Sequence, residues 1–559
     1  MRRIIVIATV VLAHAPISAN AATITVCHSG CDETSVQAAV SAASPGDTVL
    51  IHPGQYIESR TISVNKSLTI QGSGVGSTEV HMNWSDQAFS VSSTAPYGYV
   101  EISDMTITGG FISYGGGGGI SIETGGLVEI RNCKIAWSTA KDGGGIFVDS
   151  SGSLELILDS VTVVDNTATQ RGGGIFVRTS GSIELTLDSV MVVENSASQE
   201  GGGIYLDANS SSTSIGSSAI NQNTAGSDGG GAYFAGSSSL DLDISHTDLN
   251  NNVSSGQGGG IFLDGSWSSS LSLTNTDVKH NQSSEGGGGV FFEGSWSSTL
   301  NITDSDILHN RSSGRGGGVY FGGAIATINT STISDSIAHH SGGGIYAREG
   351  NTTISRSLIS GNTSSSGSGV YIQTGADVSI YNSTIAYNWT QDGDAGGIYN
   401  LGGLQLSFST IANNTSSTGY AMGIRTNSAA TALTANVISN PGGNNCGGLF
   451  TSNGFNLDDD DTCGLDGPGD IGGQPAGLGS FIDKGDYRSH FSLLPDSIAI
   501  DHVDTISFPP TDQIGRPRPQ DGDGDESALC DSGAIERDEV LFADGFESGD
   551  TLGWSQTIP

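Results

Sequence analysis

Lysine and arginine are scarce in this 559-residue chain: 20 of them stand against 58 aspartates and glutamates, which leaves a formal net charge of −38. A surface with so little positive charge would repel nucleic acids and anionic membranes, because both need a basic footprint. We therefore expect no nucleic-acid partner. Charged residues make up only 14% of the chain while glycine occurs 84 times, a composition that excludes an ordinary helical enzyme.

Long hydrophobic runs are absent after the N-terminus. Arg2 and Arg3 precede a short apolar run at residues 4–13, and the small residues 19–21 form a pattern that signal peptidases accept. We therefore expect residues 1–21 to be a signal peptide, since the alternative, a membrane anchor, would need a longer run. The mature chain, which starts at Ala22, is then expected to lack a transmembrane segment and to be secreted or held at the bacterial cell surface.

Cysteine occurs six times, and in an oxidising compartment these residues can form disulfides. Proximity in the chain pairs Cys27 with Cys31 and Cys446 with Cys463. Cys133 and Cys530 have no evident partner, so their pairing stays open.

A repeat of 25 to 29 residues fills the middle of the chain. In each copy a triplet of small residues, most often GGG, precedes one aliphatic residue, at Ile120, Ile146, Ile175, Ile204, Ala232, Ile261, Val290, Val319, Ile345, Val370, Ile398 and Ile424. A second signature, two aliphatic residues followed by Asn, ends at Asn166, Asn195, Asn223, Asn252, Asn281, Asn310, Asn362, Asn388 and Asn414. Such a fixed period indicates a solenoid, in which each repeat buries its apolar side against its neighbours.

The repeat unit is too short and too rich in β-branched residues, Gly, Ser and Asn for a helical repeat. We expect one coil of a parallel β-helix, with GGG as the corner before an inward-pointing strand and Asn at a second corner. Stacked asparagines would bond to one another from coil to coil and would tolerate a left-handed backbone. About 12 to 15 coils would make a rod of roughly 60 to 70 Å.

The N-terminal segment supplies a cap for the open end of such a rod. Val36, Ala39 and Val40 have the spacing of a short amphipathic helix within residues 35–44. Residues 35–72, with "QAAVSAASPGDTVLIHPGQYIES" and "LTIQG", resemble the start of right-handed β-helix proteins of the pectate-lyase-like superfamily. The expected fold class is therefore all-β, a right-handed parallel β-helix solenoid with a short N-terminal capping helix, with cap and first coils at residues 22–80 and repeats at 81–440.

Two further resemblances concern the repeats and the C-terminal part. The paired signals GGGI[FY] and [VIL]xxN are similar to the GGAI and FxxN repeats of chlamydial polymorphic outer-membrane proteins. Residues 441–536 resemble the choice-of-anchor Q module of bacterial surface β-helix proteins, which implies an irregular C-terminal β cap. That resemblance rests on Cys446, Cys463, Pro495, Asp501, Asp512, Gly515, Arg516, Pro517, Cys530, Asp531, Gly533 and Glu536. Residues 537–559 resemble a short tail of exported gammaproteobacterial proteins, a candidate sorting or anchoring motif.

Candidate ligand-binding residues come from the register of the repeats. One position before the second aliphatic residue lie Asp248, Asp277 and Asp306, and one before the Asn lie His280 and His309. Two other pairs recur at equal offsets, Asp264 with Glu293 and Trp267 with Trp296. Stacked carboxylates repel one another unless they are solvated or bridged by a cation, and tryptophans offer plates on which sugar rings can lie. The alternative is a polar outer face copied by repeat duplication, with the tryptophans stacked on each other.

Calcium is the one cofactor for which the sequence offers ligands. Asp521, Asp523 and Asp525 have the first half of a calcium-loop spacing, although Ser532 stands at the twelfth position, where Glu is usual. We interpret the acidic run at residues 458–461 as a solvated turn, with metal ligation as the alternative. The sequence names no catalytic residue.

Two functions remain after these exclusions. The first is a noncatalytic, adhesin-like rod that presents a repetitive acidic face to the cell envelope or to glycans. The second is a polysaccharide lyase or glycoside hydrolase, which would need carboxylates with a basic residue or an acid and base pair. Regular repetition favours the first, because active sites usually interrupt a repeat with a long insertion and none occurs at residues 143–346. A polysaccharide or cell-surface component is the expected partner, and we expect a monomer.

Overall fold

The protein winds into a single parallel β-solenoid of about 15 turns with very little helix. The computed structural model describes residues 21–84, 86–92, 98–265, 268–295, 297–428, 430–504 and 506–537. The expected signal peptide and the expected tail, apart from Ala21 and Arg537, lie outside these ranges. Among the described residues, no helix is long and apolar enough to cross a membrane.

The N-terminal elements form the first coils and their cap. They are β1 (Thr23–Val26), α1 (Val36–Ala42), β2 (Thr48–Ile51), β3 (Gly54–Glu58), β4 (Ile62–Val64), β5 (Leu68–Gln71), β6 (Thr78–Met82), β7 (Phe89–Val91), β8 (Tyr99–Thr108) and β9 (Ile120–Ile122). The helix α1 starts after Ser35, whose hydroxyl accepts a hydrogen bond from the Ala38 N–H, and it buries Val36, Ala39 and Val40. The capping helix is therefore confirmed.

The repeat region continues the same pattern with up to four strands in each coil. Its first half comprises β10 (Gly126–Ala136), β11 (Thr139–Ala140), β12 (Ile146–Ser150), β13 (Leu154–Asp159), β14 (Thr162–Val164), β15 (Thr167–Ala168), β16 (Ile175–Asp188), β17 (Met191–Val193), β18 (Ser196–Ala197), β19 (Ile204–Gly216), β20 (Ala219–Asn221), β21 (Thr224–Ala225), β22 (Ala232–Gly236), β23 (Ser239–Ser245), β24 (Asp248–Asn250), β25 (Val253–Ser254), β26 (Ile261–Gly265), β27 (Ser270–Thr274), β28 (Asp277–Lys279), β29 (Gln282–Ser283) and β30 (Val290–Gly294). Its second half comprises β31 (Thr299–Thr303), β32 (Asp306–Leu308), β33 (Arg311–Ser312), β34 (Val319–Asn329), β35 (Thr332–Ser334), β36 (Ile337–Ala338), β37 (Ile345–Ser355), β38 (Leu358–Ser360), β39 (Thr363–Ser364), β40 (Val370–Ile372), β41 (Ala376–Tyr381), β42 (Thr384–Ala386), β43 (Trp389–Thr390), β44 (Ile398–Asn400), β45 (Gly403–Ser407), β46 (Thr410–Ala412), β47 (Thr415–Ser416), β48 (Ile424–Thr426), β49 (Thr431–Thr434) and β50 (Val437–Ser439).

The last elements complete the solenoid and add a small antiparallel hairpin. They are β51 (Cys446–Gly447), β52 (Thr451–Gly454), β53 (Leu457–Asp458), β54 (Ile471–Gly472), β55 (Leu478–Ile482) and β56 (His490–Leu493). β51 to β54 pair in parallel with the coil beneath or with each other, so the coils continue to residue 472. β55 and β56 form the hairpin, which we call the arm.

The glycine triplets are the corners that the sequence predicts. The first glycine of a triplet is left-handed, as at Gly172 with φ of 63°. The next two lie against the coil above, and a Cβ on Gly173 would come within 2.3 Å of the Gly202 carbonyl oxygen. The following aliphatic residues stack in one register, and Ile175, Ile204 and Ile261 are at most 1% exposed. Small corners therefore let neighbouring coils cover each other's apolar edges.

The predicted asparagine ladder is present and buried. In one rung, the Asn281 side-chain amide donates to the Asn310 amide oxygen at 3.0 Å and to the Leu249 carbonyl at 2.7 Å. The Asn252 backbone N–H donates to the Asn281 amide oxygen at 2.9 Å. The asparagine ladder comprises Asn166, Asn195, Asn223, Asn252, Asn281, Asn310, Asn362, Asn388, Asn414, Asn440 and Asn445, with Ser336 in place of one asparagine.

One expectation for these asparagines is wrong. The left-handed residue of the corner is the one before the asparagine, as at Glu194, His280 and His309, all with φ near 57°. The ladder asparagines do not have a positive φ. Their side chains are buried in the ladder, and for each asparagine predicted from the sequence the residue before it makes the turn. A second ladder, which the sequence analysis missed, runs through hydroxyls such as Ser305, whose oxygen accepts from the Thr276 N–H at 3.1 Å.

Both ladders end on aspartates near the C-terminal end of the rod. The last amide of the asparagine ladder, on Asn445, donates to Asp458 at 2.7 Å and to Asp459 at 2.6 Å. The hydroxyl ladder ends where Asn456 donates to the Asp470 carboxylate at 3.1 Å. The acidic run at residues 458–461 is therefore a turn whose first two aspartates end the asparagine ladder, while Asp460 and Asp461 are exposed, as the solvated-turn interpretation expects.

A third row, formed by ring stacking, lies on the outside of the strands that follow the glycine corners. Ten rings stack with centroids 4.4 to 5.3 Å apart, namely Phe147, Phe176, Tyr205, Tyr233, Phe262, Phe291, Tyr320, Tyr346, Tyr371 and Tyr399. The guanidinium of Arg171 lies over two of these rings and pairs with Asp142 at 3.1 Å. Arg171 is therefore packed against the rings.

Both expected disulfides are confirmed. Cys27 bonds to Cys31 and Cys446 bonds to Cys463. Cys133 and Cys530 are free thiols, and burial raises the pKa of each to about 12.

Replacement of one ladder asparagine should cost more stability than its size suggests. Asn281→Ala would leave the Asn252 N–H buried without its acceptor and would remove the amide bond to the Leu249 carbonyl, and we expect a loss of about 1 to 3 kcal/mol in the free energy of unfolding. Chemical denaturation checks this, with the exposed neighbour Gln282→Ala as the matched control. Equal stability of the two variants would contradict the ladder's role.

Candidate functional site: an acidic row beside the C-terminal module

The three predicted aspartates form a row in register along the rod. Asp248, Asp277 and Asp306 pair directly between β24, β28 and β32. The Lys279 ammonium lies 2.8 Å from the Asp277 carboxylate and 3.7 Å from that of Asp306. The cation that these stacked carboxylates need is thus supplied by the chain itself, a contact that the sequence analysis did not identify.

Burial affects the two ends of this acidic row. Burial raises the pKa of Asp248, and the negative charge of Asp277 raises it further. Burial also raises the pKa of Asp306, although the positive charge of Lys279 opposes this shift. The carboxylates of Asp248 and Asp306 therefore bind a proton more tightly than a free aspartate does.

The two histidines stack, but on the corner that follows the acidic row. The rings of His280 and His309 are parallel within 8° with centroids 4.9 Å apart, and both residues are exposed. Each is the left-handed residue before a ladder asparagine. Their stacking follows from this shared corner position in two neighbouring coils.

The second predicted carboxylate pair lies on a different strand of the coil. Asp264 and Glu293 are in register on β26 and β30. Glu293 forms an ion pair with Arg348, and burial raises the pKa of Asp264. Trp267 and Trp296 lie outside the described residues, so the plate that they would form stays a prediction.

A groove of about 360 Å³ lies between the acidic row and the loop at the end of the arm. The coils contribute Asn275, Asp277, Asp304, Asp306 and Thr330, and the C-terminal segment contributes Asp486, Tyr487 and Arg488. Arg488 pairs with Asp486. No local pattern in the sequence predicts this arrangement, because residues 275–330 and residues 486–488 are far apart in the chain.

The later part of the C-terminal module, from the arm to residue 536, docks on the flank of the last coils. The Thr384 hydroxyl donates to the Gln513 amide oxygen at 2.6 Å, and Asn382 donates to the Thr511 carbonyl at 2.6 Å. The arm adds an apolar contact, since Phe491 packs against Ala386 and Ala412. Small residues in the outward positions of β42 and β46 therefore make room for the module.

The centre of the module is a buried charge network. Arg518 and Glu536 form an ion pair with both side chains fully buried. Arg518 also donates to the backbone carbonyls of Asp531 and Gly533 at 2.9 and 2.8 Å. Asp512 accepts from the Arg516 and Glu536 backbone N–H groups at 2.8 and 3.0 Å. Several residues that carry the module's resemblance thus hold its loops together.

Two carboxyls of this network have raised pKa values. Burial raises the pKa of Asp531 to about 7, against two backbone hydrogen bonds that lower it, and the Asp501 charge adds to the rise. Burial likewise raises the pKa of Glu536 to about 8, although Arg518 opposes the shift. Both carboxyls bind protons more tightly in the folded protein than in the unfolded chain.

The predicted calcium loop is partly assembled. Ligand atoms of Asp501, Asp521 and Asp523 lie within 4.8 Å of one another. Asp525 is not part of this cluster; its carboxylate accepts from the Ser527 N–H at 2.8 Å. The sequence pattern missed Asp501 because it precedes the loop by 20 residues, and its carboxylate already accepts hydrogen bonds from Gly522 and Leu529.

Comparison with known proteins supports the fold. The family model described as "Right handed beta helix region" matches residues 53–219, 96–325 and 288–462. Among solved structures, the crystal structure of pectate lyase Pel9A is similar at 13% identity, over 93% of this chain and 98% of that chain, with a TM-score of 0.23. Among curated proteins, none matches the chain.

The C-terminal module should be more stable in mild acid than in mild alkali. A carboxyl whose folded pKa is raised contributes stability that is fully present below its unfolded pKa and lost as the pH rises through about 7, the folded pKa of Asp531. We therefore expect protease resistance of the module to fall between about pH 5 and about pH 8. Asp531→Asn removes one of the two raised carboxyl titrations and should make this profile shallower, with the Glu536 titration remaining, whereas the exposed control Asp523→Asn should keep it. An unchanged profile in Asp531→Asn would contradict the assignment.

Calcium binding by the loop stays a prediction of the sequence. If the ion binds, millimolar calcium should raise the melting temperature of the protein relative to chelator, because a ligand of the folded state stabilises it. Asp521→Asn should abolish the rise, and Asp525→Asn should leave it nearly intact because Asp525 is not in the cluster. Identical melting curves with calcium and with chelator would reject the prediction.

Proposed function

The chain belongs to the right-handed beta-helix family, and from this premise we propose that it is an exported, noncatalytic and adhesin-like rod of the cell surface or extracellular space. Its acidic outer face would contact the envelope or glycans. The module and the tail that follows it would retain or sort the protein at the surface. Calcium, where the loop binds it, would serve stability.

The observation that carries this proposal is the unbroken register of the outer face. The acidic row holds its register over three coils, and no insertion interrupts it. Display of one chemical group at a fixed spacing suits the binding of a repetitive partner through many weak contacts. Catalysis would need one distinct place along the rod.

The contacts of Lys279 also favour binding over catalysis. A lyase would need a basic residue free to take a proton from its substrate, placed beside carboxylates. In the acidic row, Lys279 is engaged with Asp277 and Asp306 instead. A polysaccharide lyase or glycoside hydrolase is therefore our second candidate.

The proposal predicts retention without cleavage. Purified mature protein should be retained by at least one immobilised envelope or plant polysaccharide, with no unsaturated product and no new reducing ends in the presence of calcium. The triple variant of Asp248, Asp277 and Asp306 to Asn should lose retention. A matched triple variant of the exposed Asp188, Asp241 and Asp243 to Asn should keep it, since it removes the same charge elsewhere. Cleavage of any polymer would contradict the noncatalytic proposal.

A further inference from the structure

A second groove, of about 340 Å³, lies on the outer side of three later coils. Its floor comes from β37, β41 and β45, which are other strands of the coil than those of the acidic row. The outward side chains that line it are Asn351, Thr353, Asp377, Ser379 and Gln405. Register places Asn351 beside Asp377, and Thr353 beside Ser379 and Gln405. The groove thus runs along the rod axis.

The polar groups of this groove do not pair with one another. Elsewhere on the same outer face, side chains bond from coil to coil, as between Ser270 and Asp241 at 3.0 Å and between Ser355 and Asn329 at 2.9 Å. Within the described part of the chain, the five lining side chains make no such bond. Their donors and acceptors are therefore available to a ligand.

Gly403 opens the groove at its centre. The same position carries Asn351 and Asp377 in the two preceding coils. A Cβ on Gly403 would come within 2.0 Å of an Asp377 carboxylate oxygen, so no side chain fits there as the groove stands. The glycine thus leaves the Asp377 carboxylate uncovered.

The chemistry of the lining selects one class of ligand. It contains one carboxylate, two amides and two hydroxyls, and no Lys, Arg or His. An uncompensated carboxylate repels uronates, sulfates and phosphates. Amides donate and accept hydrogen bonds and a carboxylate accepts two or more, which is the set that vicinal sugar hydroxyls need. The volume lies at the low end of the about 300 to 1,000 Å³ of ligand pockets, enough for a short stretch of sugar chain.

We propose that this groove binds a neutral oligosaccharide, with Asp377 and Gln405 as its main hydrogen-bonding groups. The inference rests on the proposed glycan interaction and adds to the acidic row a second contact on another flank of the rod, for a neutral sugar. Asp377 would accept from a pair of sugar hydroxyls, while Asn351 and Gln405 would bond to the units on either side.

Isothermal titration with neutral hexasaccharides of glucan, mannan and chitin, and with oligogalacturonate as the anionic comparator, tests the proposal. We expect the wild-type protein to bind at least one neutral hexasaccharide and not oligogalacturonate. The double variant Asp377→Ala with Gln405→Ala should bind that hexasaccharide at least about tenfold more weakly, since each lost hydrogen bond contributes about 1 kcal/mol. Both residues are exposed, so the fold should survive, which thermal melting checks.

The matched control is Asp243→Ala with Asn301→Ala. These two residues belong to the column of Ser379 and Gln405 in earlier coils and lie outside the groove. The control should bind as the wild type does. Equal binding by the groove variant would overturn the groove but leave the glycan proposal standing, and binding of oligogalacturonate alone would do the same. Absence of binding to every immobilised polysaccharide and every oligosaccharide would overturn both.

Discussion

The structure depends on hydrogen bonding between coils in one fixed register. A slip of one residue would turn Ile175 outward and bring polar neighbours inside, because side chains alternate along a strand. The asparagine ladder adds a stricter condition. Each buried amide needs an acceptor in the coil above and a carbonyl in the coil below, and Asn281 finds both only in the observed register. Since an unpaired buried donor costs about 1 to 3 kcal/mol, the ladder fixes the register that the apolar core alone would hold less strictly.

A fixed interior leaves the outer positions free to differ from strand to strand. The strands after the glycine corners carry the stacked rings, which pack beside corners that lack side chains of their own. The short strands before the asparagines carry the acidic row, and the strands between these two sets carry the polar groove. Each surface is therefore a row of chemically related groups about 4.8 Å apart, built on a common core. Different flanks of the rod therefore offer binding surfaces of different chemistry.

The features that repeat along the chain could be predicted from the sequence, whereas the contacts between distant segments could not. The period, the glycine corners, the capping helix, the disulfides and the asparagine ladder follow from local spacing, because each coil repeats the geometry of the last. The sequence does not show which residue of the two-residue corner, Glu194 or Asn195, is left-handed. The structure shows that it is Glu194. Lys279 was overlooked because one partner, Asp277, lies two residues before it on the same strand and the other, Asp306, lies in the next coil. The groove beside Asp486 and the joining of Asp501 to the calcium loop depend on distant segments, for which a single sequence has no signal.

The aspartates near the C-terminal end show that part of the chain's negative charge is structural. Because each amide in a ladder donates to the next coil, the last amide has no acceptor of its own kind. An amide or hydroxyl placed there would accept that bond but would itself need an acceptor one coil further. Carboxylates end the series because they accept without needing to donate, and they bond more strongly to the final amide than a neutral group would. Asp458 and Asp459 do this for one ladder and Asp470 for the other. The module that supplies them also packs against the flank of the rod, so it completes the solenoid physically. An anchoring role for this module is therefore compatible with a capping role, because the same loops that end the ladders hold the segment that leads to the tail.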